Sequence, residues 1–498
     1  MSDLYPNVLF HELILNSFEK HGDDIALIQD DQKVTFTELS KYVSKLVYVL
    51  VELGVTQGDT VMICLPNSIW YPIVFLATAK IGAILCGVSS ESVESELKYC
   101  LNESEAKYIF TNSTTIQHNE HLLNNITTII VPTDVHKYFD EIPNVVSELS
   151  VTGRNIDSVL LAPFSSGTTG PPKCCQLTHR NFLASTFSLK KFIFDDLLKQ
   201  SSKKTLAFLP FHHASGFWAL LLCLLEGCTS VIMAEFHPMV MMDLIEKYQI
   251  DTINIVPAIA NGFLKIGFIQ DRCPTLRTIL CGSSGLNKES CKRFLALFPQ
   301  VKHFLQGYGM TELVVLSHIT PLNDNFAHLG SCGMLLPGFD SKIVVGEEGE
   351  SELYLKSDSI MKQYKNGLKN VDEDGWLQTG DVVKQEGEFY YIVDRKKDLI
   401  KVNGFQVSPT EIENIVQTFP QVNEVAVVGI DDELCGQLPK LYIVLVEGTN
   451  EFLFLKHLEH TLKEKLSSVK QPRGGVCIIP SMPKSSSGKI QKNKLLLI

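Results

Sequence analysis

Apolar residues along this chain follow two rhythms, and the rhythms alternate. In TELSKYVSKLVYVLVELG, Leu39, Val43, Leu46 and Leu50 fall at helical spacing. The pattern predicts an amphipathic helix that stops at Gly54, a C-cap position where glycine takes the left-handed conformation easily. DTVMICL and GAILCGV are apolar runs of strand length on either side of the next helical stretch. The same alternation returns at TLAFLPF, TSVIMAEF, DTINIVPA and LRTILCGSS. Strand–helix–strand repeats of this kind imply parallel sheets with helices on both faces. No fixed-period repeat and no low-complexity tract is found.

The rhythm changes at YYIVDRKKDLIKVNGFQVSPTEIENIVQTFP. Basic residues follow a strand-like run. Ser408-Pro409-Thr410-Glu411 then reads as a capping box with proline at the first helical position. Ile412, Ile415, Val416 and Phe419 form an apolar helical stripe. Strand-like EVAVVGI and KLYIVLV, helical FLKHLEHTLKEKL and strand-like GVCII complete the segment. The expected organisation is α/β, with a large N-terminal domain over 1–394 and a small α/β domain over 395–498.

Composition narrows the function. The chain has 498 residues, 45% hydrophobic and 20% charged, as in ordinary globular proteins. Its net charge of −12 argues against nucleic acid as a partner. The start has no basic region followed by an apolar one, so no secretory signal is expected. The longest apolar run, Phe217 to Leu225, is too short to span a bilayer. The 13 cysteines include no C-x-x-C pair, which reads as buried thiols of a cytoplasmic protein. KNKLLLI is not a peroxisomal tripeptide signal.

Several short motifs carry chemistry. SSGTTGPPK, Ser165 to Lys173, follows the apolar run VLLAPF. Backbone amides and hydroxyls in such a loop grip phosphate oxygens, and lysine adds a charge. It lacks the P-loop pattern, and a Ser/Gly/Thr/Pro linker reads the same way by composition. QGYGMTE, Gln306 to Glu312, offers a ring to stack on a base and a carboxylate suited to Mg²⁺. CGSSG, Cys281 to Gly285, again follows an apolar run, and a tight turn explains either motif equally well. In DGWLQTGD, Asp381 follows a Thr-Gly turn and can accept from ribose hydroxyls, though the three residues TGD alone carry little information. LPFHHASGF holds His212 and His213; a lone histidine is more often a packed core group than a catalyst. MPKSSSGKI carries Lys489 on a Ser/Gly loop, where a solvated tail is the plain alternative.

Taken in order, SSGTTGPPK, LPFHHASG, CGSSG, QGYGMTE, DGWLQTGD, VDRKKDLIKVNGFQVSPTEIE and PKSSSGKI make the chain resemble the adenylate-forming superfamily over nearly its whole length. It is most similar to the branch of 4-coumarate–CoA ligases and beetle luciferases. The resemblance implies a large domain of parallel-type sheets plus a distorted β-barrel subdomain, and a small mobile C-terminal domain. It implies ATP, Mg²⁺ and coenzyme A, and a two-step reaction through an acyl-adenylate. By the same resemblance, Ser165, Ser166, Gly167, Thr168, Thr169, Gly170 and Lys173 cradle the β- and γ-phosphates. Gly282, Ser283, Ser284, Tyr308 and Gly309 enclose the adenine. Thr311 reaches the α-phosphate, and Thr168 and Glu312 hold the metal. Asp381 and Arg395 hold the ribose. Lys489 serves adenylation, Lys401 the second step, and Lys397 is the hinge. Gly404 and Phe405 border coenzyme A. His213, Phe217, Leu313 and Val315 line the acid pocket.

The chain departs from the family pattern at Cys174, where glycine is usual. A side chain there is expected to crowd the loop. PFHHASGF lacks the aspartate that amino-acid-activating members use. An apolar fatty or arylpropenoic acid is therefore expected, and no amino acid. Two other readings stay open: loading of a separate carrier protein, and a weakly active nucleotide-binding regulator.

Overall fold

The structure is a computed structural model that describes residues 4–141, 153–165, 172–266, 272–347, 349–369, 371–484 and 490–498. Among these residues, three sheets organise the chain. In the largest, strands Ile25–Gln29, Thr229–Ile232, Lys204–Ala207, Thr252–Ile255, Thr278–Cys281 and His303–Tyr308 run parallel in that spatial order. The runs TLAFLPF, TSVIMAEF, DTINIVPA and LRTILCGSS are thus neighbours in one sheet. The second sheet is parallel through Thr60–Cys64, Ile84–Gly87, Tyr108–Thr111, Thr127–Ile130 and Val159–Leu161.

The helix Phe36–Glu52 forms where the spacing predicts it. Leu39, Val43, Leu46 and Leu50 are buried, and Gly54 ends it at φ +82°. Thr35 and Glu38 close a capping box at its start, with Thr35 N donating to Glu38 Oε2 at 2.8 Å.

After His303–Tyr308 the first sheet turns antiparallel, through His318–Ile319, Gly333–Leu335, Phe389–Arg395, Leu377–Glu386, Ser351–Ser357 and Phe339–Val345. The strands expected in a distorted barrel are therefore joined to the parallel sheet by a continuous ladder. The last of them in sequence ends at Arg395, and the first strand of the small sheet, Ile400–Val402, starts five residues on.

The small sheet also holds Phe405–Val407, Val422–Asp432, Gly436–Leu445 and Val476–Ile478. Ile412, Val416 and Phe419 pack into its core. The helix Pro409–Val416 corrects one expectation. Ser408 accepts from Glu411 N at 3.3 Å, but Glu411 does not complete the box. Its carboxylate pairs with Lys470 at 2.7 Å, while the Ser408 hydroxyl donates to Asp394 at 2.6 Å. A cation nearby outbids a backbone amide for a carboxylate, because charge-assisted contacts are the stronger ones.

Candidate active site

The loops at the C-terminal ends of the parallel strands surround a cavity of about 1750 Å³. Pockets of roughly 300–1,000 Å³ hold one drug-sized ligand. This one has room for more than one substrate.

Ser165 and Lys173 sit in its wall, paired across the base of the loop between them. Ser166, Gly167, Thr168, Thr169 and Gly170 lie outside the described residues. Lys173 Nζ stands 5.0 Å over the Tyr364 ring, and the Tyr364 hydroxyl donates to Glu312 Oε1 at 2.8 Å. The loop that Cys174 is expected to crowd lies outside the described residues; Cys174 itself lies in strand Lys173–Thr178 without a left-handed φ, and its side chain is buried beside Met62, Cys64, Cys86 and Ala162. An extended strand has no need of glycine there.

Gly282 and Ser283 line the cavity after strand Thr278–Cys281; Ser284 does not. Gly309 does, where a Cβ would fall 1.5 Å from the Val315 carbonyl oxygen, so only glycine fits. The approach is so close because Val314 and Val315 both have left-handed φ values, 52° and 84°. For β-branched residues such conformations cost on the order of 1–3 kcal/mol each and persist only under tertiary constraint. One constraint is the Ser185 hydroxyl, which donates to Val314 O at 2.8 Å. The turn holds Thr311, Glu312 and Val315 in the wall.

Asp381 is buried. It accepts from the Tyr308 hydroxyl at 2.6 Å, and Arg395 Nε lies 3.4 Å from its other oxygen. Burial raises the Asp381 pKa; Arg395 and Tyr308 oppose the rise. Thr379, Gly380 and Arg395 line the cavity, whereas Asp381 and Tyr308 stand behind them. Lys397 also lines it, and burial lowers its pKa.

His212 and His213 precede helix Ala214–Leu225, their rings 4.4 Å apart, and both line the cavity. Burial, aided by His213, lowers the His212 pKa to about 3, so that imidazole is neutral at physiological pH.

Two expected pocket residues are elsewhere. Phe217 is buried against Phe75 and Tyr71, with ring centroids 5.0 and 5.2 Å away. Leu313 is fully buried in the same core. The cavity takes Trp218, Ala219 and Leu222 instead. A step of one residue turns a helix face by about 100°, and both faces of this helix are apolar. The sequence therefore held no signal for which face meets the substrate.

Lys401, Gly404 and Phe405 belong to the hairpin Ile400–Val402 and Phe405–Val407 and do not line the cavity. Lys489 lies outside the described residues; its flanks Lys484 and Ile490 pair in an antiparallel bridge.

One cluster escaped the sequence reading. Lys396, beside the expected hinge, contacts buried Glu350 at 2.8 Å and buried Glu352 at 3.0 Å. Lys396 holds the Glu350 carboxyl at about 2, below the usual carboxylate range. A depressed folded pKa stabilises the protein above the unfolded value, and that stabilisation is lost as pH falls through the folded value. The stability gap between wild type and Glu350→Gln should therefore close between about pH 5 and 2. Unfolding curves that keep a constant gap over that window would remove Glu350 from the account.

The comparisons with known proteins come to the same region of the chain. A family model described as AMP-binding enzyme matches residues 15–365, and one described as AMP-binding enzyme C-terminal domain matches 411–489. A peroxisomal OPC-8:0-CoA ligase from Arabidopsis thaliana is 30% identical, over 99% of this chain and 94% of its own. A luciferin 4-monooxygenase from Photuris pensylvanica is also 30% identical, over 93% and 89%. Among solved structures, o-succinylbenzoate CoA synthetase from Bacillus subtilis, bound to its acyl-adenylate intermediate, superposes with a TM-score of 0.83 at 25% identity, over 97% of each chain.

Proposed function

The chain belongs to the AMP-binding enzyme family, and from that premise we propose that it joins an apolar carboxylic acid, fatty or arylpropenoic, to coenzyme A using ATP. The observation that carries this reading is the one cavity. Its wall brings Lys173, Glu312, Gly282 and Arg395 together with His213 and the apolar row Trp218, Ala219 and Leu222. Nucleotide chemistry and an apolar slot thus share one space.

In the first step a carboxylate oxygen attacks the α-phosphorus and the bond to the β-phosphate breaks. Pyrophosphate leaves with the electron pair. In the second, the coenzyme A thiolate attacks the acyl carbon and AMP departs. Positioning and fixed charge do most of this work. Lys173 and the loop before it would grip the β- and γ-phosphates. Gly282, Ser283 and Gly309 would border the base, Thr311 the α-phosphate, and Asp381 with Arg395 the ribose. His213 would stand beside the carboxylate. Glu312, with Thr168, would hold Mg²⁺. A lone carboxylate suits that ion, which binds one or two carboxylates beside substrate phosphates and water. When bound, Mg²⁺ supplies neutralisation of the phosphate charge. The small domain, taken from residue 395, would turn about Lys397 between the two steps and bring Lys401, Gly404 and Phe405 to the site.

Among the described residues no helix is long and apolar enough to cross a membrane. A pyrophosphate-release panel over fatty, arylpropenoic and amino acids, run with and without coenzyme A, tests the proposal. Release with apolar acids, and thioester only when coenzyme A is present, is the expected result. Turnover confined to amino acids, or ATP binding with no turnover, would overturn it.

A further inference from the structure

The cavity does not end beside His213. His213 and Leu209 lie past the C-terminal end of strand Lys204–Ala207, yet Ser201, Lys203 and Asp251 also line the cavity, and these precede the strands. Strands Lys204–Ala207 and Thr252–Ile255 pair in parallel at Thr205↔Thr252, so their starts lie side by side. The cavity therefore runs along the full length of both. From Lys203 to Phe208 that is roughly 16 Å at a strand's rise per residue. Thr205, Thr252 and Asn254 line it from the sheet. Ile253, between the last two, packs into the core on the other face, while Ile255 reaches the cavity at the end of its strand. Opposite stand Leu189, Phe194 and Leu197 of the 179–200 helical segment, and Trp218 and Leu222 of helix Ala214–Leu225.

Lys203 and Lys204 are exposed, so this far end opens on the surface. Asp251 ties the starts of the two strands together, accepting from Ser202 N and, at 2.9 Å, from Thr252 Oγ1. The rim is thus polar, with two lysines, and behind it the helical side of the stretch is apolar while the sheet side carries Thr205, Thr252 and Asn254.

We propose that the acid site is a tunnel open at both ends, and that its substrate is a long-chain aliphatic acid whose ω end reaches water at the Lys203–Asp251 mouth. This rests on the ligase reading above. A compact arylpropenoic acid would leave the apolar helical side of the inner stretch in contact with water alone, whereas a methylene chain covers it. Each methylene buried along the tunnel should raise kcat/KM about fourfold. Beyond the mouth, further methylenes enter water and the gain stops without a steep fall. A carboxylate at the ω end should be tolerated once the chain is long enough to bring it to the mouth, and rejected in shorter acids.

The test is kcat/KM across a saturated monocarboxylic series and its ω-carboxy counterparts, beside displacement of the fluorescent polyene cis-parinaric acid. Ala219→Trp and Thr252→Trp obstruct the tunnel at two depths. Each should move the best chain length downward, Ala219→Trp further. A wild-type profile that rises to a plateau, with this graded shift, supports the tunnel. A sharp optimum followed by collapse, or turnover of short and aryl acids with no binding of parinaric acid, overturns it while leaving the ligase reading intact. Parinaric acid bound and displaced by long acids, with no acid turned over, keeps the tunnel and sinks the ligase reading. The wild-type measurements decide the matter even if a variant fails to fold.

Discussion

Lys489→Ala is expected to slow acyl-adenylate formation by about 10²–10³-fold, the usual loss when one preorganised donor to a developing charge is removed. The expectation comes from the sequence, where Lys489 closes the Ser/Gly loop of PKSSSGKI. The geometry around that loop supports a delivered charge. Lys484 pairs with Ile490 across it, Gln491 N donates to Pro483 O at 2.8 Å, and Lys484 is anchored to Glu424 at 2.8 Å. The residues that flank the loop are thus tied to each other and, through Glu424, to strand Val422–Asp432 of the small sheet. Adenylation should suffer, while thioester formation from a supplied acyl-adenylate should stay near the wild-type rate. Measuring the two half-reactions separately checks this. An equal fall in both would mean that the substitution disturbs the small domain as a whole.

Asp381→Asn is expected to lower kcat/KM for ATP by about 10²-fold. The substitution keeps the volume and removes the charge. Hydrogen bonds to a charged group contribute about 1.5–3 kcal/mol, and roughly 1.4 kcal/mol is tenfold. The carboxylate is buried and already holds Tyr308 at 2.6 Å, with Arg395 at 3.4 Å. Its loss would loosen Tyr308, Arg395 and the proposed ribose contact together. Titration of nucleotide binding by calorimetry should show the loss in ATP affinity. A variant that binds ATP as tightly as wild type but melts earlier would make Asp381 a structural group only.

Much of the fold is legible in the chain because its information is local. The alternation of strand and helix periods, the Thr35–Glu38 cap and the stop at Gly54 depend on residues a few positions apart. So do the motifs. The parts that were not legible depend on distant partners. Cys174 looked like a position that wants glycine until its strand turned the side chain into the buried cluster with Cys86. Glu411 looked like half of a capping box until Lys470 took it. Phe217 and Trp218 are neighbours of equal apolarity, and only packing decides that one faces Phe75 and the other the cavity.

By itself, then, the sequence determined the order of the elements, the family to which the motifs point and the residue types available for phosphate and metal. The tertiary structure decided the rest. It brought Lys396 onto Glu350 and Glu352, more than forty positions away. It forced Val314 and Val315 into strained turns against Gly309, and it ran the cavity past the strands to Lys203. The reason is physical: period and turn chemistry act over one or two turns of chain. The meeting of distant side chains follows from how whole elements pack.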